Sequence, residues 1–390
     1  MKLGSTTRAV LACAAGGLLA TGCGAAAEDT AAPEETPTPH GYVEGAEETA
    51  EAQWRLVMAD TGTGAVHMLD PATEEVTEVG SAPGAEEAAA DGRFAYFGTG
   101  RTAAVLDSGT WTVDHGDHVH YYRAEPAMVG EIAAEGGLQA AADTKAAALT
   151  SAAGVAILDR PALEEGEVPR AVEREAAAAL PYGGHVVVVG ADGTVEVLDR
   201  DGEPAGTAVE ERCPDPAGQA LTRRGAVLGC ADGALVLTED DGTWTADTVP
   251  YPDGAADPLT AFHHRPGAAV LAGASGDGVW VLDVGERSWT RLDTGPAAAV
   301  SAAGEDLPVL VLGEDGTLRA YDPATGEETA ATELMDDVPE GVSVRIDTNR
   351  AYVNDPAADA VYEIDYNDDL RLARTFDLGF SPDLMVETGW

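Results

Sequence analysis

An all-β chain, an eight-bladed β-propeller, is what this sequence predicts, and three observations predict it. The first is a pattern recurring about every 40 residues, the period of a propeller blade. An apolar strand, a Gly/Asp turn, an alternating strand ending in Asp and a second turn make up each copy. The copies read RLVMADTGTGAVHMLD, RFAYFGTGRTAAVLD, KAAALTSAAGVAILD, HVVVVGADGTVEVLD, GAVLGCADGALVLTEDDG, AAVLAGASGDGVWVLD, LPVLVLGEDGTLRAYD and RAYVNDPAADAVYEID. The second observation is turn chemistry, since Asp-Gly between apolar strands signals a hairpin. The third is the lack of helical periodicity from residue 54 to 390; residues 164–180 are the nearest candidate and carry prolines at their edges. Isolated hairpins cannot bury both faces, so such units stack radially. A seven-bladed ring is the alternative, because the second and third copies are spaced more widely than the others. A pair of β-sandwiches would not need so regular a repeat.

Taken in chain order, residues 1–23 read as an export signal. Lys2 and Arg8 give a positive start, and residues 9–20 an apolar run too short to span a bilayer. The run ends in Leu19-Ala20-Thr21-Gly22-Cys23, which resembles a lipoprotein lipobox and predicts a lipid on Cys23. The expected location is the extracytoplasmic face of the cell membrane. Residues 24–53 are rich in Ala, Glu, Thr and Pro without apolar periodicity and predict a disordered acidic linker. Its reach is on the order of 30 Å. His40 lies there near Glu44, Glu47 and Glu48, either as plain linker or as an arm that captures a cation. Residues 54–390 form the propeller domain.

Formal net charge is −47, from 22 basic and 69 acidic residues. Such a surface repels nucleic acid and anionic substrates and gathers cations. Solubility alone also accounts for it. Once Cys13 and Cys23 are set aside, Cys213 and Cys230 remain. In an exported domain they predict one disulfide, worth roughly 3 kcal/mol in the chain-entropy model. Neither lies in a CxxC motif, which argues against a redox or metal pair.

The segment Asp114-His115-Gly116-Asp117-His118-Val119-His120-Tyr121-Tyr122 holds three of the eight histidines. Imidazoles with carboxylates are a ligand set for zinc. If residues 118–120 are extended, His118 and His120 leave one face, and His115 reaches the same ion from the preceding turn. Asp117 or Asp114 completes the set or orients an imidazole. The segment follows strand GTWTVD of the second unit, at a blade edge or between blades. The bland alternative is chance clustering on an exposed loop. His185, at a strand start, is a distant fourth ligand or a packing residue. His67 sits mid-strand and reads as packing. His263 and His264 are adjacent, so their side chains diverge.

This His-Gly-Asp-His-x-His-Tyr-Tyr segment, in an exported propeller with Cys213 and a Gly229-Cys230-Ala231-Asp232-Gly233 element, resembles the periplasmic zinc-metallochaperone AztD family. The opening strand RLVMAD and the acidic arm with His-Gly-Tyr resemble it too. The resemblance implies a propeller that holds zinc at His115, His118 and His120 and hands it to the solute-binding protein of a zinc ABC importer; separately, a monomer is expected. Two other classes compete. One is a metal-free surface propeller that binds a protein or glycan. The other is a propeller enzyme, disfavoured because the sequence has no GxSxG elbow, P-loop or dinucleotide turn. No enzymatic activity is expected.

Overall fold

The structure, a computed structural model, describes residues 41–116, 118–252 and 257–390. The signal segment with Cys23, the linker up to His40, and Asp117 lie outside the described residues.

Each of the eight sequence copies folds as the central hairpin of its own antiparallel sheet, as a β-propeller requires. The first hairpin joins Arg55–Ala59 to Ala65–Asp70, and the last joins Ala351–Asp355 to Ala360–Asp365. Among the described residues seven of these sheets have four strands. The sheet of Val270–Ser275 and Gly278–Asp283 has three, with an antiparallel His263–Ala272 bridge in the fourth place. The Asp that ends each copy has a local task. Asp70, Asp199, Asp283 and Asp322 accept backbone N–H groups from the turns that follow them. In the Glu314-Asp315-Gly316-Thr317 turn, Gly316 has φ +73°, and a side chain there would overlap the Met335 carbonyl.

The core lies between sheets. Eight apolar clusters among the described residues each join one sheet to the next. In one of them Phe94 and Tyr96 meet Leu149 and Leu158. Another sets Leu56, Met58 and Met385 against Tyr352 and Val361, so the last sheet packs on the first. The C-terminal strand Leu384–Thr388 also pairs antiparallel with Arg55–Ala59, so the first sheet takes a strand from the chain's far end. Cys213, just past strand Pro204–Arg212, is bonded to Cys230 at the end of Gly225–Cys230. The expected disulfide therefore ties one sheet to its neighbour.

Three expectations change in detail. Strand Thr110–Asp114 does not belong to the second unit's sheet. The outer strand there is Ala127–Ala133, paired with Thr102–Asp107. Thr110–Asp114 and Val119–Arg123 form a hairpin inserted between those two strands, which explains the wide spacing of the second and third copies. The linker was expected to run to residue 53, but residues 41–53 belong to the folded unit. Strand Glu47–Thr49 pairs with Val119–Arg123 and completes a three-stranded sheet. It contributes main-chain pairing and ion pairs rather than apolar burial, so hydrophobic periodicity could not reveal it. The helical candidate at residues 164–180 resolves into strands Val172–Arg174 and Ala178–Tyr182. A five-residue helix, Arg160–Glu164, precedes them, capped by Asp159. Among the described residues no helix is long and apolar enough to cross a membrane.

Candidate metal centre

The inserted hairpin carries the histidines. Its register sets Val113 opposite His120 and Asp114 opposite Val119. His115 N–H donates to the His118 carbonyl at 3.0 Å and closes the turn. Gly116 has φ +87°, and its N–H donates to Asp114 Oδ1 at 2.7 Å. Asp114 therefore shapes the turn through one of its oxygens. A side chain at position 116 would be strained there.

The turn brings the three imidazoles together. One ring nitrogen from each of His115, His118 and His120 lies within 4.8 Å of the other two. Rings 115 and 118 stack with centroids 4.9 Å apart. Ring 120 stands edge-on to both, at 5.3 and 4.9 Å. Nitrogens bound tetrahedrally to one zinc at 2.0–2.1 Å would be about 3.4 Å apart, so small side-chain rotations close the set. His115 and His118 are exposed and His120 is buried. The cluster thus has an open side and an anchored side.

Glu48 supplies the anchor. Its Oε1 lies 2.7 Å from His120 Nδ1. A carboxylate on Nδ1 fixes the ring's tautomer and makes Nε2 the nitrogen that would coordinate. Arg123 donates to Glu47 at 2.6 Å and Tyr122 O–H to the Gly41 carbonyl at 2.9 Å, tying the arm to the same strand. Gly41 lies so close to His120 that a Cβ would approach its Cε1 to 2.9 Å. Sequence reasoning placed Glu48 in a linker and missed this contact. Among 69 acidic residues one glutamate carries no signal of its own.

The other candidates lie elsewhere. His185 does not join the cluster. It opens strand His185–Val189, with Nδ1 3.0 Å from the Gly183 carbonyl and its ring edge-on to Trp244. A turn that places the ring on Trp244 gives it the packing role of its two readings rather than that of a distant fourth ligand. His67 stacks on Phe380 at 3.8 Å, and burial lowers its pKa. His263 is exposed and bridges Ala272 through its backbone, while loss of solvent around the half-buried His264, helped by Arg265, pushes it down to about 4. Asp117 lies outside the described residues.

No protein-family model matches the sequence, and no curated protein does. Among solved structures, AztD from Citrobacter koseri superposes with a TM-score of 0.71 at 19% identity, over 87% of this chain and 99% of that one. This chain has an AztD-like fold. The apo structure of Citrobacter koseri AztD gives the same TM-score at 18% identity, over 87% and 98%. Dihydro-heme d1 dehydrogenase NirN is a more remote likeness, with a TM-score of 0.53 at 14% identity over 86% of this chain and 75% of that one. At this identity the AztD likeness speaks for the fold alone.

Proposed function

We propose that this protein is an extracytoplasmic zinc carrier on an eight-bladed β-propeller, lipid-anchored through Cys23. It holds one zinc ion on His115, His118 and His120 and passes it to the solute-binding protein of a zinc ABC importer. The observation that carries the reading is the convergence of the three imidazole nitrogens within 4.8 Å. Packing in eight inter-sheet clusters supports the blade number, and the AztD-like fold supports the class of protein. The lipid anchor rests on the Leu19-Ala20-Thr21-Gly22-Cys23 run.

The arrangement suits transfer. Two ligands stand on the exposed side, where donors from a receiving protein can replace them one at a time. His120, held by Glu48, gives the ion up last. A metal hydrolase would need a general base beside a bound water. Glu48, a carboxylate that touches this cluster, is instead engaged by His120 Nδ1. Zinc titration of the purified chain against a chelator of known affinity tests the reading. One equivalent should bind to the native sequence and none at that site to the His115→Ala/His118→Ala/His120→Ala variant. Equal binding by both would refute it.

A further inference from the structure

The hairpin that carries the histidines rests on an aromatic column. Trp111 and Tyr122 are cross-strand partners, on the face that also carries Val113 and His120. Trp111 stacks on Tyr122 with centroids 5.1 Å apart and planes at 18°. Tyr122 in turn stacks on His120 at 6.0 Å and 25°. The Arg93 guanidinium lies 3.9 Å from the Trp111 ring centroid. Asp107, the last residue of strand Thr102–Asp107, fixes that guanidinium as a fork, with Nε to Oδ1 at 2.9 Å and Nη2 to Oδ2 at 2.7 Å. Arg93, Trp111 and Tyr122 are all buried. Contacts therefore run from a central strand of the second sheet to the His120 imidazole of the candidate metal site.

A small three-stranded sheet on its own is only weakly stable, whereas a metal site needs its ligands held to about 0.5 Å. The column meets that need. Only arginine can offer a planar face to an indole and a two-pronged donor edge to a carboxylate at once. We infer that Arg93 and Trp111 are positioning residues of the metal site: through Tyr122 they set the plane of the His120 ring. The inference rests on the carrier reading and adds two residues that touch no metal.

Cobalt(II), bound to the full-length chain, is a suitable probe, since its visible bands report the geometry of its ligands. Trp111→Ala and Arg93→Lys should each weaken cobalt binding by about tenfold and alter those bands, as loss of a ligand-orienting contact does. Trp111→Phe keeps a stacking ring and should stay within about twofold of the native chain with an unchanged spectrum. Native affinity and spectrum in Trp111→Ala would overturn the inference, as would a Trp111→Phe variant impaired as badly as the alanine one. If Trp111→Ala does not fold, Arg93→Lys decides on the same two readings, because it retains both Trp111 and the positive charge. Failure of the native chain to bind cobalt or zinc would remove the carrier reading itself, a result distinct from native binding that the variants leave intact.

Discussion

At the scale of single residues, Glu48 separates this cluster from three histidines on a loop. Its bond to His120 Nδ1 spans 72 residues and assigns the ring its coordinating edge. Glu48→Gln should therefore weaken zinc binding by about tenfold in chelator competition. Unchanged affinity would mean that the contact has no part in the site. His264 makes a separate prediction about pH. Partial burial, with Arg265 nearby, holds its folded pKa near 4, below the 6.5 of an exposed imidazole, so between those values the unfolded chain binds the extra proton. Stability is thus full above pH 6.5 and declines as pH falls toward 4, by at most ~1.4 kcal/mol for each step of one in pH. Urea midpoints measured across that window should fall for the native chain and fall less for His264→Gln.

Among elements, the arm and the inserted hairpin form one small sheet beside the larger ones. Gly41 is where they meet most closely, with φ +81° and His120 against it. Gly41→Ala should weaken zinc binding several-fold, the equivalent of ~1 kcal/mol of backbone strain, while the melting temperature of the ring hardly moves. The sequence disclosed these elements unevenly. The histidine turn was legible because His115, His118 and His120 stand together in the chain and their spacing matches a turn followed by a strand. The hairpin's place was not, because TWTVD alternates just as a blade strand does and periodicity cannot say which sheet a strand joins. Strand Glu47–Thr49 was hidden because its stabilising contacts are main-chain pairs and ion pairs. His185 reads as either a distant ligand or a packing residue from its place at a strand start, and its neighbour Trp244 in space gives it the packing role.

For the unit of residues 41–390 as a whole, the joining of its last sheet to its first is the main structural fact. Strand Leu384–Thr388 pairs with Arg55–Ala59, and Met385 packs with Leu56 and Tyr352 across the seam. Deleting residues 384–390 should abolish cooperative thermal unfolding, because the first sheet loses a strand and the ring its seam. A calorimetric transition that survives the deletion would show that closure is dispensable. The eight central hairpins were visible from the Gly/Asp turns and alternating strands, while closure needed the register of strands more than 300 residues apart. Net charge acts at this scale too. A chain at −47 repels itself, so added salt should raise its melting temperature, and constancy from low salt to 0.15 M would contradict that. Zinc-edge anomalous diffraction from crystals of the zinc-loaded protein tests the central claim most directly. The account predicts one zinc peak about 2.0–2.1 Å from a ring nitrogen of each of His115, His118 and His120. A zinc peak elsewhere, with those three rings turned away from any ion, would contradict it.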